Sequence, residues 1–206
     1  MTRIKICGIT QEKDAVAAVA LGADALGFIF AKSPRRTSLV QAKKICAALP
    51  PFISKVGVFV NAGQQDVLKA VKYCGLDTIQ LHGDESDKYC AFFKKYCKII
   101  KAFRVKDKSV LKVVSSYKNV DAFLFDAYDP ECYGGTGKIF AHDLLKNVKF
   151  SKPIIISGGI NPENVEKIIS LLMPYAIDVS SAVEKQPGIK DLKKLKALIS
   201  AVKMNV

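Results

Sequence analysis

The chain reads as an α/β protein of the parallel eight-stranded (β/α)8-barrel class, and two patterns predict this. Eight short apolar or β-branched runs alternate with eight segments of helical spacing along the whole sequence. No hairpin dipeptide joins adjacent strands, and several strands are almost continuously apolar, as strands covered on both faces are. Eight βα units close most naturally into a barrel, and 206 residues suffice for a small one with short loops. A doubly wound open sheet is the rival, but its Gly-x-Gly-x-x-Gly fingerprint is absent after the first strand, where Cys7-Gly8-Ile9-Thr10 stands instead.

In order, strands are expected at 4–6, 25–30, 55–60, 78–81, 99–103, 122–125, 154–156 and 176–179. Helices are expected at 11–21, 38–49, 64–73, 86–96, 108–117, 141–146, 164–172 and 192–203, the first capped by Thr10. No linker, low-complexity segment or sharper repeat interrupts the alternation, so residues 1–206 form one domain. With 50% hydrophobic and 25% charged residues and a mean hydropathy of +0.16, the composition is that of a soluble globular chain. No apolar run reaches the ~18 residues that span a bilayer, and no leader pattern opens the chain, which gives a cytoplasmic protein without a membrane partner. The six cysteines, Cys7, Cys46, Cys74, Cys90, Cys97 and Cys132, include no Cys-x-x-Cys pair, and only His82 and His142 accompany them. Neither a disulfide framework nor a metal site follows. The net charge of +13 and pI near 9.4 admit nucleic acid, an anionic surface or an acidic substrate. Pairs such as Lys43-Lys44, Lys94-Lys95 and Lys193-Lys194 are scattered over helices with no basic arm, which speaks against nucleic acid.

A barrel gathers the residues that follow each strand on its C-terminal rim, where this fold does its chemistry. Those residues are Cys7, Lys32-Ser33-Pro34-Arg35, Asn61, His82, Arg104, Asp126, Ser157-Gly158-Gly159 and Ser180-Ser181. Cys7 is either one more small buried apolar residue or a thiol that takes part in the rim's chemistry. Ser157-Gly158-Gly159 precedes a helix and suits an anion held on backbone amides, a reading strengthened by Ser180-Ser181 after the eighth strand. Gly134-Gly135-Thr136-Gly137 is a flexible cover donating amides or a plain surface loop. Asp126 is an acid–base group or a helix cap. Arg35 or Arg36 clamps a carboxylate or is solvated. His82 is a second acid–base group or a polar support of the rim.

Lys5-Ile6-Cys7-Gly8-Ile9-Thr10, Lys32-Ser33-Pro34-Arg35, Gln80-Leu81-His82-Gly83, Asp126 with the glycine run that follows, Ser157 to Val165 and Asp178-Val179-Ser180-Ser181 together make a specific set. In this order and spacing, over essentially the whole chain, it resembles the phosphoribosylanthranilate isomerase family of tryptophan biosynthesis. The resemblance implies an Amadori rearrangement of N-(5-phosphoribosyl)anthranilate to 1-(2-carboxyphenylamino)-1-deoxyribulose 5-phosphate. It implies Cys7 as general base, Asp126 as general acid, Arg35 on the anthranilate carboxylate, and His82 and Asp178 as further substrate contacts, Asp178 near the sugar hydroxyls. Gly135, Gly137, Ser157, Gly158, Gly159, Ser180 and Ser181 are implied to hold the phosphate. The partner is then a small phosphorylated aminoaldose, with no metal, flavin, nicotinamide or other cofactor, and a monomer is expected. Ala182 stands where the family usually carries glycine.

The chemistry demands a thiolate and a protonated carboxyl together, the reverse of their ordinary values of about 8.5 and 3.9. Nearby cations would favour the thiolate, and desolvation would raise the carboxyl. An epimerase barrel would want strand-end histidines for a metal, and an indole-glycerol-phosphate synthase a lysine acid–base set; neither is evident.

Overall fold

Residues 1–126 and 144–204 are described by a computed structural model. Eight parallel strands close in sequence order, β1 (Arg3–Cys7), β2 (Ala25–Ile29), β3 (Ser54–Phe59), β4 (Thr78–Leu81), β5 (Lys98–Arg104), β6 (Ala122–Asp126), β7 (Ile154–Ser157) and β8 (Ala176–Val179), with β8 pairing back onto β1. Around them lie α1 (Glu12–Leu21), α2 (Leu39–Ala47), α3 (Gln64–Cys74), α4 (Asp87–Ala91), α5 (Ser109–Val114), α6 (Val165–Leu172) and α7 (Leu192–Lys203). The expected barrel is therefore the observed one.

Two apolar layers hold it. One face of each strand carries residues such as Ile4, Ile6, Leu26, Phe28, Phe123 and Phe125, which pack under the helices. The alternate face fills the bore with Val56, Ile100, Ala102, Ala122, Leu124, Ile155 and Ala176. Each such side chain, once buried, contributes about 1.5–3 kcal/mol for a Val, Leu, Ile or Phe. Caps fix several helix starts: Ser38 accepts from the Gln41 amide, Ser86 from the Tyr89 amide, and Asp191 from the Lys193 and Lys194 amides.

Three local expectations give way. Thr10 caps nothing: α1 starts at Glu12 behind an uncapped Gln11, and the Thr10 hydroxyl donates to the Gly188 carbonyl. Long-range tethering outcompetes the local cap. The helix expected at 86–96 is helical only over α4; beyond it Phe92 packs edge-on against Phe93 and tilted against Tyr96. Of the expected helix at 141–146, residues 141–143 lie outside the described residues and 144–147 form a turn. An element that period-two reasoning did not reveal is a small antiparallel hairpin after β8. There a 3-10 turn (Ser181–Val183) leads into β9 (Glu184–Gln186) and β10 (Ile189–Lys190). Among the described residues, no helix is long and apolar enough to cross a membrane.

Candidate active site

Strand alternation decides what faces the mouth of the barrel. Two residues beyond the bore-filling Ala102, Leu124, Ile155 and Ala176, on the same faces of their strands, come Arg104, Asp126, Ser157 and Asp178. On β1 the corresponding pair is Lys5, opposite Asp178 in register, and Cys7. Cys7 and Asp126 thus end strands of one closed ring, separated by β8 and β7.

Cys7 is 6% exposed, and its register partner is Gly27. A Cβ on Gly27 would lie 2.7 Å from the Cys7 sulfur, so the missing side chain makes the room the thiol occupies. Burial pushes the Cys7 thiol up from its ordinary value; the Lys5 and Lys190 ammonium groups pull it back, while the Asp178 carboxylate pushes it further up. The cations expected around the thiol are present, yet desolvation outweighs them and holds the thiol above its ordinary value.

Asp126 and His82 meet at 3.2 Å between Oδ2 and Nε2, each about 20% exposed. The other ring nitrogen, Nδ1, lies 3.1 Å from Gln80 Nε2, whose amide donates to it. That arrangement sets the proton on Nε2, facing the carboxylate. Gln80 Oε1 is buried without a hydrogen-bond partner among the described residues.

Arg35 is less free than the sequence implies. Its Nε donates to both oxygens of Glu184, at 3.1 and 2.9 Å, and Nη2 lies 2.8 Å from Oε2. Glu184 is also held by Lys190, 2.8 Å away, and burial, which would raise its pKa, is outweighed by hydrogen bonds from Arg35 and Lys190 that hold it below the usual carboxylate range. The Arg35 stem crosses Gly8, whose φ of 75° suits glycine and where a Cβ would come within 2.8 Å of Arg35 Cδ. Arg36, by contrast, is exposed and bridges Ile29 through its backbone.

The turn after β7 takes a backbone conformation that favours glycine. Gly158 and Gly159 both have positive φ, at 87° and 66°, and the space over Gly159 is open. Asn161 and Asn164 close the turn: Asn161 Oδ1 accepts from the Glu163 and Asn164 amides, and Asn164 Nδ2 donates to the Gly159 carbonyl. On the neighbouring strand Ser180 precedes a helical turn whose first amides have no internal acceptor, and its buried hydroxyl has no partner among the described residues. Ser181 is exposed, and Ala182 packs against the outer core. Gly135 and Gly137 lie outside the described residues.

A cleft of about 560 Å³ opens beside His82, lined also by Asn61, Arg104 and Tyr117. A shallower recess of about 750 Å³ between α3 and α4, lined by Gln64, Tyr89 and Phe92, holds none of the rim residues. Among the described residues no cluster of ligating side chains is built for a metal ion. The sequence reasoning missed Lys5, Gly27, Gln80, Glu184 and Lys190. The period of two, from Cys7 back to Lys5 and from His82 back to Gln80, was the available signal for those two; the rest depend on contacts between distant segments.

Comparison with known proteins agrees over the whole chain. The family profile described as "N-(5'phosphoribosyl)anthranilate (PRA) isomerase" matches residues 4–201. An N-(5'-phosphoribosyl)anthranilate isomerase from Geobacter sulfurreducens is 47% identical over 204 residues, covering 98% of this chain and 99% of that protein. The crystal structure of phosphoribosyl anthranilate isomerase from Thermotoga maritima superposes with a TM-score of 0.92 at 40% identity, covering 99% and 100% of the two chains. Another phosphoribosyl anthranilate isomerase structure, solved in complex with reduced 1-(o-carboxyphenylamino)-1-deoxyribulose 5-phosphate, matches at 37% identity and a TM-score of 0.86, again over 99% and 100%. A barrel with these strand ends, matched end to end by such relatives, makes the chain a member of the phosphoribosylanthranilate isomerase family and an isomerase of tryptophan biosynthesis.

Proposed function

We propose that the enzyme converts N-(5-phosphoribosyl)anthranilate to 1-(2-carboxyphenylamino)-1-deoxyribulose 5-phosphate, with Asp126 as general acid and Cys7 as general base. The observation that carries this reading is the convergence of a buried thiol and a partly buried carboxyl on one barrel mouth, beside a double-glycine turn and a serine hydroxyl with no partner among the described residues. A phosphorylated aminoketose analogue bound to a family member of the same fold supports the substrate class.

Protonation of the furanose ring oxygen by Asp126 breaks the bond from that oxygen to C1, while the anilino nitrogen lone pair forms the iminium. Cys7 then takes the C2 proton; the electrons of the C2–H bond form the C1=C2 double bond while the iminium π pair returns to nitrogen, giving the enolamine, which tautomerises to the ketone. A buried thiol is a poor base, but it is needed only after the iminium, a cation, has formed beside it. His82 serves the acid. Its Nε2 stands 3.2 Å from Asp126 Oδ2 and steadies the carboxyl that delivers the proton.

Gly158, Gly159, Ser157, Ser180 and Ser181 hold the phosphate, and Asp178 meets the sugar hydroxyls. Arg35 presents Nη1, which has no partner among the described residues, to the anthranilate carboxylate, while Glu184 fixes the rest of the fork. All these groups belong to one chain, so the monomer suffices. Loss of fluorescence from freshly prepared phosphoribosylanthranilate on adding pure enzyme is the expected result. No loss under conditions where the enzyme is folded would refute the assignment.

A further inference from the structure

Deeper in the bore, below the reacting groups, sits a charge that acid–base chemistry alone does not call for. Lys5 is 3% exposed and lies in register with Asp178, itself 5% exposed, with 2.8 Å between Nζ and Oδ1. Both Asp178 and the Cys7 sulfur interact with this ammonium and favour its charged form. Lys5 is two residues before Cys7 on the same strand face, which brings its ammonium alongside the sulfur. The other nearby cation, Lys190, is already committed: its ammonium donates to the carbonyls of Cys7 and Ser180 and to Glu184. Glu184 in turn is shared with Arg35, and on the β2 side Gly27 brings no side chain at all.

We propose that Lys5 is the positioning cation of this active site, its buried ammonium standing between Asp178 and Cys7 as the counter-ion to the thiolate that removes the C2 proton. Burial of a lone lysine is costly, and a salt bridge buried in a bore is weak support for stability. A functional use accounts for both. Burial alone would lower the Lys5 pKa, but Asp178 and Cys7 outweigh it and hold the group above its ordinary value, so the charge persists at every working pH. Asp178 opposes the thiolate and Lys5 favours it; the pair sets the balance.

The idea rests on Cys7 as base, but its test does not need turnover. The rate of Cys7 alkylation by iodoacetamide, followed by mass spectrometry of the Cys7 peptide at fixed pH, reads the thiolate fraction. Lys5→Met is expected to slow it at least about fivefold, the greater nucleophilicity of a more basic thiolate softening the drop. Asp178→Asn is expected to speed it. Loosening of the bore would move both variants the same way, and that result, or an unchanged rate in folded Lys5→Met, overturns the proposal. If Lys5→Met does not fold, Lys5→Gln takes its place, with the same slowing expected and an unchanged or faster rate overturning the proposal. In folded Lys5→Met, kcat/KM on the plateau should fall by the factor through which its alkaline limb moves up, as coupled thiolate and carboxylic acid forms require. A plateau loss with an unmoved limb also counts against the counter-ion role. Full turnover by Cys7→Ala would instead strike the base assignment and leave the alkylation result standing.

Discussion

Gly27 has no side chain, and the Cys7 sulfur lies where one would be. Gly27→Ala would set a methyl 2.7 Å from that sulfur and 3.1 Å from the Cys7 Cα, closer than real contacts come, and backbone on two hydrogen-bonded strands cannot yield cheaply. The expected outcome is a folded protein with kcat lowered at least ~10-fold, since misplacement by about 1 Å is enough to cost that much; steady-state kinetics with circular dichroism checks it. Nothing in the run Ala25 to Ile29 marks Gly27 as special, because the reason lies on another strand. Cys7, Asp126 and the two glycines after Ser157 were legible for the opposite reason. They are strand ends, and strand ends declare themselves locally.

Among the elements, the eight strands were readable because each is a short apolar run, although β1, β5, β6 and β7 each extend one residue further than expected, to Cys7, Arg104, Asp126 and Ser157. The β9–β10 hairpin was not, being only three and two residues long, Glu-Lys-Gln and Ile-Lys, too short for an alternation to show. Its weight in the structure is large. Lys190 donates to the carbonyl of Cys7, Glu184 anchors Arg35, and Thr10 donates to Gly188, so one hairpin fixes the end of β1 and the arginine over it. Glu184→Gln leaves Arg35 and Lys190 unpaired, and a loss of about 3–5 kcal/mol is expected at neutral pH, the usual cost of breaking a buried pair. The pH dependence has a definite sign. A carboxylate held below its ordinary range stabilises the fold fully above that range and ceases to do so as the pH falls through its folded value. Wild-type stability should therefore drop more steeply than that of Glu184→Gln as pH is lowered below the usual carboxylate range. Parallel denaturation curves for the two proteins on acidification would contradict the pairing.

For the molecule as a whole, the +13 charge meets a substrate that carries both phosphate and carboxylate. Steering by a net field raises association and fades as salt screens it, so kcat/KM should fall several-fold between about 0.05 and 0.5 M salt while kcat changes little. A flat salt profile would assign the charge to another purpose. At this scale the order of the strands was legible, since eight βα units have few ways to close, and so was the end of the barrel that does the work. The ion pairs inside the bore were not: Lys5 meets Asp178 and Lys190 meets Cys7 only after closure brings the first and last strands together. The central claim is that a sulfur on β1 and a carboxyl on β6 divide two proton transfers on one bound sugar. Turnover of phosphoribosylanthranilate by pure, folded Cys7→Ala and Asp126→Asn tests it most directly: each should lose at least ~10² in kcat, as lost acid–base catalysis does, and near-wild-type turnover by either would contradict it.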